Sequence, residues 1–447
     1  MIRFSTLILA ASVLSCTLAG CEDGSPPPIE WPRRDGSVPD ASSPIPDGGG
    51  EEPVDRTCTV QDDLVLGEPE LYVLPPDRVH VAPRPGTSDE FVLVTAQEIC
   101  PAASCDGGVG EGSSGGDDWS RRRAVLYAFS GSGAPTGPTW VNLGVGELQH
   151  TDVRAPALAP VGNRLVVAWL DPTIGEDNRI DVWTQAVNAS TLAPIGSMTK
   201  ASNAARSARR LVLVPGSSSA TAIYEDFEQG SAPTLHAVEI SADGEPGTPA
   251  DLGTLVESAD AHAGLRLAGG GILFGFTEPS TGGVCDFLVG DPYDLDTALT
   301  VQEDEATRSC GDVALAPGGA AFAAQASGAS VIQFRPLSEN GEPTGREVRV
   351  AGKPGKGATH PALARFAGGF FLAYVQYGFG IPTSLRGATL TSAGTVQEDV
   401  ELVAELGNDV ATPTVAVAAD GSAIAVAWKE RGADNRLETR LVRLTCR

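Results

Sequence analysis

The sequence lacks several features that would assign it to a common functional class. Its 447 residues contain no apolar run of the ~20 residues that a bilayer-spanning helix needs. Basic residues number only 31 against 57 acidic ones, and the resulting net charge of −26 would repel a nucleic-acid backbone. Aromatic residues are scarce at 6 %, whereas 53 Gly and 33 Pro interrupt the apolar segments, which excludes a mostly helical fold. A hydrophobic content of 42 % still suffices for a packed core.

Motifs for catalysis and cofactor binding are equally scarce. No H-E-x-x-H, P-loop or C-x-x-C occurs. GSSGG at 112–116 and GEGSSG at 110–115 fit nucleophile and dinucleotide patterns, but they lie in a polar glycine loop without the strand and helix that those motifs require. The acidic run at 291–296 lacks the spacing of a calcium loop and is interpreted as solvated. The sequence predicts no cofactor and leaves the presence of a metal site open.

The N-terminus has the composition of an export signal. Residues 1–20 carry one cation, Arg3, followed by the apolar run LILAASVL at 7–14, and they end in Leu-Ala-Gly directly before Cys21. The segment L-A-G-C resembles the bacterial lipobox. The resemblance implies that the signal is removed, that Cys21 is acylated, and that the protein is anchored to a lipid membrane. An ordinary signal peptide with an incidental Cys21 is the alternative.

A tether is predicted between Cys21 and the folded part of the chain. Residues 21–57 contain eight Pro and a Gly run at 48–50, with almost no periodic apolar residues, so they cannot form a packed core. In lipoproteins of the kind that the leader resembles, an Asp directly after the acylated Cys favours retention at the inner membrane. Glu22 stands there instead. We therefore expect a lipid-anchored protein of the cell envelope; the residue after Cys21 favours the outer membrane and leaves the inner membrane as the alternative.

The six cysteines that follow Cys21 are predicted to form disulfides, because an even number in an exported chain is typical of an oxidising compartment. Their scattered positions disfavour a zinc site, which is the alternative. Of the 15 possible pairings, the spacing favours three: Cys58–Cys446, Cys100–Cys105 and Cys285–Cys310.

A repeat of about 50 residues runs through residues 58–447. Each copy has an apolar strand, a Gly turn, a second apolar strand that often ends in a bulky residue, and two weaker strands. The clearest copies are APALAPVGNRLVVAWLDP at 155–172, HPALARFAGGFFLAYVQ at 360–376 and TPTVAVAADGSAIAVAWKE at 412–430. Tight hairpins favour glycine because it adopts positive φ at no steric cost. The turn glycines are Gly86, Gly162, Gly216, Gly270, Gly318, Gly368 and Gly421, and the second strands end at Ala96, Trp169, Tyr224, Phe276, Gln325, Tyr374 and Trp428.

Seven such units of four short strands resemble a seven-bladed β-propeller. The fold class is therefore predicted to be all-β, with four-stranded blades. The last repeat lacks a fourth strand, whereas the segment TVQDDLVL at 59–66 has no blade of its own. We expect this N-terminal strand to complete the last blade, with the Cys58–Cys446 disulfide holding the ring closed. The resemblance indicates an architecture and no activity, because fold does not imply function. WD40, kelch and sialidase Asp-box patterns are absent.

One pattern points to a site. Counting back from the second-strand ends places histidines or arginines at the start of several innermost strands, where propeller side chains line one mouth of the central channel. Convergent His side chains could bind a metal or an anionic ligand. Solvated channel residues are the alternative, because a slip of one residue reverses the face of a strand. The candidate residues are His80, Asp152, Arg154, Arg210, His262 and His360.

Two functional hypotheses follow. The first is a binding or scaffolding module at the cell envelope that takes a protein, glycan or small ligand on one face or at the channel mouth. The second is a carbohydrate-active hydrolase or lyase, with Asp152, Arg154, Arg210 and His262 as anion clamp and proton donor at the mouth. A purely structural role is a third possibility.

Overall fold

The computed structural model describes residues 57–70, 76–98, 122–140, 153–172, 179–202, 206–228, 231–254, 262–278, 284–291, 294–298, 310–326, 329–407 and 409–447. In these ranges the regular structure consists of 28 strands, which pair into seven four-stranded antiparallel sheets. The predicted all-β class and the four-stranded blades are confirmed. The described residues fall within one compact unit, Glu51–Arg447.

Six blades are built from consecutive strands, ordered from the innermost outward. Blade 1 contains β2 (His80–Pro83), β3 (Glu90–Glu98), β4 (Arg122–Ser130) and β5 (Thr136–Trp140). Blade 2 contains β6 (Arg154–Val161), β7 (Arg164–Asp171), β8 (Asp181–Asn188) and β9 (Pro194–Lys200). Blade 3 contains β10 (Ser207–Pro215), β11 (Ser219–Phe227), β12 (Thr234–Ser241) and β13 (Ala250–Thr254).

The second half of the chain continues the same order. Blade 4 contains β14 (His262–Arg266), β15 (Ile272–Glu278), β16 (Val284–Asp291) and β17 (Asp294–Ala298). Blade 5 contains β18 (Cys310–Ala316), β19 (Gly319–Ala326), β20 (Ala329–Pro336) and β21 (Val348–Ala351). Blade 6 contains β22 (Gly357–Phe366), β23 (Gly369–Gly378), β24 (Ile381–Leu390) and β25 (Val396–Val403).

The last blade joins the two ends of the chain. Blade 7 contains β26 (Thr414–Val417), β27 (Ala423–Arg431) and β28 (Leu437–Cys446), with β1 (Cys58–Glu70) as its outer strand. Cys58 pairs with Cys446 in the β1–β28 register, and the two form a disulfide. The predicted Cys58–Cys446 bond is thereby confirmed, because the strand that completes the blade brings residues 388 positions apart into one pair.

The other two predicted disulfides stay predictions. Cys100 and Cys105 lie outside the described residues. Cys285 lies in β16 and Cys310 in β18, but their side chains are outside the described part of the chain. Residues 1–56, which include Cys21 and the predicted leader and tether, are outside it as well.

Contacts between innermost strands close the blades into a ring. Each of β2, β6, β10, β14, β18, β22 and β26 contacts the innermost strand of the next blade, and β26 contacts β2. The hydrophobic core is divided accordingly into clusters that each lie between two adjacent blades. One cluster joins Phe91 of blade 1 to Ala425 of blade 7 across the closure. Apolar burial between neighbouring faces therefore supports every blade.

The bulky residues of the repeat form part of these clusters. Trp169, Tyr224, Phe276, Tyr374 and Trp428 are all at most 4 % exposed, so these five second strands each contribute one large core side chain. Six of the seven predicted turn glycines have positive φ: Gly86, Gly162, Gly270, Gly318, Gly368 and Gly421. Gly216 does not; a Cβ there would lie 2.6 Å from the Ser219 carbonyl oxygen, so close backbone approach favours glycine at that turn.

Candidate channel-mouth site

Five of the six candidate residues lie in innermost strands. His80 begins β2, Arg154 begins β6, Arg210 lies in β10, His262 begins β14 and His360 lies in β22. Because the blades repeat one strand order around the ring, the beginnings of these strands meet at one end of the central channel, here called the channel mouth. The side chain of His262 and the whole of Asp152 lie outside the described residues.

A repeated backbone irregularity marks this end of the strands. The pairing register shifts between Arg154 and Ala157 in β6, and between equivalent positions in β10, β18 and β22. Inside three of these bulges a non-glycine residue has positive φ: Ala155 at 44°, Arg210 at 57° and His360 at 52°. Bulges redirect side chains, and a left-handed non-glycine residue costs about 1–3 kcal/mol. Three blades thus carry the same strained turn where their strands enter the channel.

Hydrogen bonds connect three neighbouring blades at the mouth. The His360 Nδ1 lies 2.7 Å from the Asp312 Oδ2 of blade 5 and 3.3 Å from the hydroxyl of Thr412, which precedes β26 of blade 7. Thr359 donates to the same Asp312 oxygen at 3.5 Å. Burial would raise the pKa of the Asp312 carboxyl, but the hydrogen bond from His360 and the charges of His360 and Arg78 outweigh it and lower that pKa. Asp312 is therefore an anion at neutral pH, held against His360.

A cationic group lies on the blade 1 side of the mouth. Arg78, two residues before β2, is close enough to Asp312 and Arg210 for their charges to act on it. Burial lowers the pKa of the Arg78 guanidinium, the Asp312 charge opposes this shift, and the Arg210 charge adds to it. An arginine nevertheless keeps its proton. Arg210 is exposed at the surface of the mouth, and Arg154 is half-buried.

His80 is held neutral beside this arginine. Burial and the positive charge of Arg78 lower the pKa of His80 to about 4, against a hydrogen bond to the Leu158 backbone that raises it. Its Nδ1 is buried and has no hydrogen-bond partner within the described part of the chain. The site therefore combines fixed positive charge, one ion-paired carboxylate and a neutral imidazole.

Sequence reasoning did not select Arg78, Thr359, Asp312 or Thr412 as site residues. For Asp312 a signal existed, because it stands 13 residues before the strand end at Gln325, the same interval that separates Pro361, next to His360, from Tyr374. Thr412 occupies the place in blade 7 that His360 occupies in blade 6, since Thr414 pairs with Ala427 as Ala362 pairs with Ala373. Arg78 lies two residues before β2 begins, so the alternation of apolar residues along that strand does not predict where the Arg78 side chain lies.

A second ionic cluster, here called the closure tetrad, is buried between blades 7 and 1. Its members are Glu70, Asp77, Arg122 and Lys429. The Lys429 Nζ donates to Glu70 and, at 2.7 Å, to the Ala96 carbonyl. Arg122 donates to Glu70 at 3.1 Å and lies 2.6 Å from Asp77. Because Lys429 and Arg122 have fully buried side chains, this cluster serves the ring closure rather than a ligand.

Within the described ranges, no three His, Cys, Asp or Glu side chains are grouped as metal ligands. Those ranges also contain no helix of the length and apolarity that crossing a membrane requires.

Comparisons with known proteins show the fold. No family model matches the chain, and no curated protein matches it in sequence. Among solved structures, the BP39L lectin from Burkholderia pseudomallei is similar over 82 % of this chain and 96 % of the lectin, with 12 % identity and a TM-score of 0.52. A protein of unknown function from Dyadobacter fermentans is similar over 87 % of this chain and 99 % of its own, with 13 % identity and a TM-score of 0.49. The sialidase of Trypanosoma rangeli is similar over 66 % of this chain but 55 % of its own, with 10 % identity and a TM-score of 0.43. At 12 % identity, the likeness to the lectin concerns the fold alone.

Proposed function

We propose that this protein is a binding module of the cell envelope, anchored to a lipid membrane through acylated Cys21, that holds its ligand at the channel mouth. One observation carries the proposal: polar and charged side chains from at least four blades meet there. Asp312, His360 and Thr412 are hydrogen-bonded across three blades, and the charges of Arg78 and Arg210 act on one another.

The energetics of the mouth favour a ligand over a purely structural role. Buried charges contribute little to net stability, because their desolvation offsets their attraction. Left-handed Arg210 and His360 add backbone strain. Such costs are typical of binding sites, where pre-organised polar groups determine orientation and specificity. The lipobox at L-A-G-C, with a tether after it, supports the anchoring part of the proposal.

The binding proposal is tested with the full chain in detergent, applied to an array of bacterial envelope glycans. We expect a reproducible subset to bind, and we expect Arg210→Ala and His360→Ala to weaken that binding at least tenfold. The control is Arg365→Ala, because Arg365 lies near the opposite end of the innermost strand that holds His360. Binding that all three variants retain would place the ligand elsewhere and overturn the proposal. Anchoring is tested by detergent phase separation, in which Cys21→Ser should move the protein to the aqueous phase.

A second candidate function is cleavage of a carbohydrate at the same mouth, by a hydrolase or a lyase reaction. The observation that favours it is the 2.7 Å contact between Asp312 and His360, since a carboxylate can orient an imidazole for proton transfer. Arg210 and Arg154 would then hold an acidic group of the substrate. If glycans that bind the protein are also cleaved, Asp312→Asn and His360→Gln should each abolish product formation even at glycan concentrations that saturate the variant. Cleavage that survives both changes would exclude this chemistry.

A further inference from the structure

The turn between β23 and β24 in blade 6 holds the most exposed large apolar side chain in the described part of the chain. The turn consists of Phe379 and Gly380, and Gly380 adopts positive φ at 74°. The Phe379 side chain is fully exposed. Tyr377 beside it is also exposed, and its hydroxyl donates to Ser330 at 2.8 Å. Single exposed apolar residues are common on protein surfaces, so the surroundings of the turn determine whether this one has a role.

Two lysines lie on a second turn that packs against this one. Lys353 and Lys356 exchange two backbone hydrogen bonds of 2.8 Å directly before β22 begins. A Cβ at Gly378 would collide with the carbonyl oxygen of Gly355, which lies between the two lysines, so the two turns are in direct contact. Both lysine side chains are exposed, and neither has an ion-pair partner within the described ranges.

The charge of this part of the chain is opposite to that of the whole. Residues 348–397 contain no Asp or Glu and five Lys or Arg, in a chain of net charge −26. Two of the chain's four lysines stand in this stretch, and the other two are ion-paired with buried carboxylates. Uncompensated positive charge thus lies beside an exposed phenyl ring. The surface is here called the blade 6 patch, and its members are Lys353, Lys356, Tyr377 and Phe379.

The blade 6 patch lies at the same end of the propeller as the channel mouth. Innermost strand β22 begins at that end, and β23 runs antiparallel to it, so the turn after β23 returns there. The corresponding turn of blade 7, between β27 and β28, carries Asp434 and Arg436, which form an ion pair at 3.5 Å. Blade 6 therefore has an apolar side chain where the neighbouring blade has paired charges.

The shape and chemistry of the patch favour a lipid surface over a protein partner. A stable protein interface buries about 800 Å² on each partner around a packed apolar core, whereas the patch offers one phenyl ring at a convex tip. A bilayer needs no complementary shape, because a single apolar side chain can enter its interfacial region while nearby cations attract anionic headgroups. Lysine suits such a surface because its ammonium group is a hydrated point charge without a fixed binding geometry.

We propose that the blade 6 patch is a contact site for an anionic lipid bilayer, with Phe379 in the interfacial region and Lys353 and Lys356 at the headgroup phosphates. This contact turns the channel mouth toward the membrane. The predicted tether joins the folded part at Cys58, at the other end of the propeller. Its 37 residues can span up to ~120 Å, which is long enough for tether and patch to reach one bilayer. The inference goes beyond the proposed binding function and does not require acylation of Cys21.

The test is quenching of tryptophan fluorescence by lipids that carry bromine in their acyl chains. The full chain is mixed with excess vesicles of phosphatidylethanolamine and phosphatidylglycerol. Phe379→Trp adds a reporter at the tip of the turn, and its emission is the difference from the parent. We expect the brominated lipids to quench most of this added emission. The matched control is Val396→Trp, because Val396 is exposed at the opposite end of the same blade, and its added emission should stay unquenched.

The role of the lysines is tested in the Phe379→Trp chain. Adding Lys353→Gln and Lys356→Gln should reduce the quenched fraction at least about threefold, because each cation near an anionic surface strengthens the attraction. Replacing phosphatidylglycerol by phosphatidylcholine should have the same effect. Arg436→Gln is the charge control: it removes an ion-paired cation from the corresponding turn of blade 7 and should leave the quenching unchanged.

An added emission that brominated lipids leave unquenched would overturn the inference. So would equal quenching in neutral and anionic vesicles. A blue shift of the added emission without lipid, growing with protein concentration, would mean that a second copy of the chain covers the patch, which also overturns it. Because the emission is read at excess lipid, it reports on the turn whether or not Cys21 is acylated. Glycan binding at the channel mouth is measured in detergent, so failure of one proposal leaves the other decided by its own experiment.

Discussion

Replacing Lys429 by Met should destabilise the protein by about 3–5 kcal/mol, because removing one partner of a buried ion pair leaves the other charge buried without compensation. The Lys429 ammonium is fully buried and bonds Glu70 and the Ala96 carbonyl. Burial lowers the pKa of Lys429, while the charge of Glu70 opposes that shift. Met has a similar length but no charge, so it fills the volume and removes only the electrostatic partner.

The magnitude follows from the charge balance of the closure tetrad. The intact tetrad has two cations, Lys429 and Arg122, and two anions, Glu70 and Asp77. Lys429→Met leaves one net negative charge in a buried site, and Glu70→Gln leaves one net positive charge. The double variant is neutral again, with Arg122 still paired to Asp77. We therefore expect each single variant to be strongly destabilised. The double variant should be at least about 2 kcal/mol more stable than the sum of the two single-variant losses predicts.

The assay is urea unfolding at pH 7, followed by the fluorescence of the buried Trp169 and Trp428. Equal slopes for parent and variants would show that the midpoints report stability. The reasoning is refuted if Lys429→Met costs less than about 1 kcal/mol, or if the two single changes add without coupling. Either result would mean that the tetrad is solvated or that its charges are paired differently.

Three further predictions concern the closure, the channel and one hairpin. Replacing Cys58 and Cys446 by Ala removes a disulfide that closes a loop of 388 residues, and chain entropy gives about 6 kcal/mol as an upper value for its stabilisation. Urea unfolding without reductant should show that the free energy of unfolding falls by ~2–5 kcal/mol. An unchanged midpoint would contradict this prediction. Unfolding restores the pKa of His80 from about 4 to its ordinary ~6.5, so the unfolded chain takes up the proton first as the pH falls. The parent should therefore lose about 3 kcal/mol more than His80→Leu between pH 7.5 and pH 4, and parallel losses would refute this. Gly369→Ala places a Cβ 1.9 Å from a backbone carbonyl oxygen and should lower the free energy of unfolding by about 2–3 kcal/mol. Its control is Gly269→Ala, whose Cβ meets nothing within 4 Å and which should leave the melting temperature nearly unchanged.

The repeat was readable from the sequence because its period is imposed by geometry. Each blade has a glycine at its first hairpin, and five of the seven have a bulky residue near the end of the second strand; from blade 2 onward these features recur at intervals close to 50 residues. Blade 5 departs from the alignment: Val313 pairs with Phe322, so the residue in the place of Trp169 is Ala323 rather than Gln325. Its first hairpin is one residue pair shorter, a difference that hydrophobic alternation does not reveal.

Strand starts were predicted more securely than side-chain environments. Counting along the repeat put His80, Arg210 and His360 in innermost strands, because that depends only on the period. It could not show that Arg210 and His360 lie in bulges with positive φ, since a bulge is defined by the partner strand. Nor could it pair Asp312 with His360, which come from different blades.

The sequence by itself determined the class of fold, the blade pattern and the closing disulfide, because each of these depends on periodicity or on unpaired elements at the two ends of the chain. Only the tertiary structure decided which charges meet. Glu70 and Lys429 are 359 residues apart and form one buried ion pair, and the charge of Arg78 beside blade 1 acts on Asp312 of blade 5. Such contacts depend on ring closure, which brings together distant parts of the chain. The positions of these residues in the sequence therefore do not indicate that they are close in space.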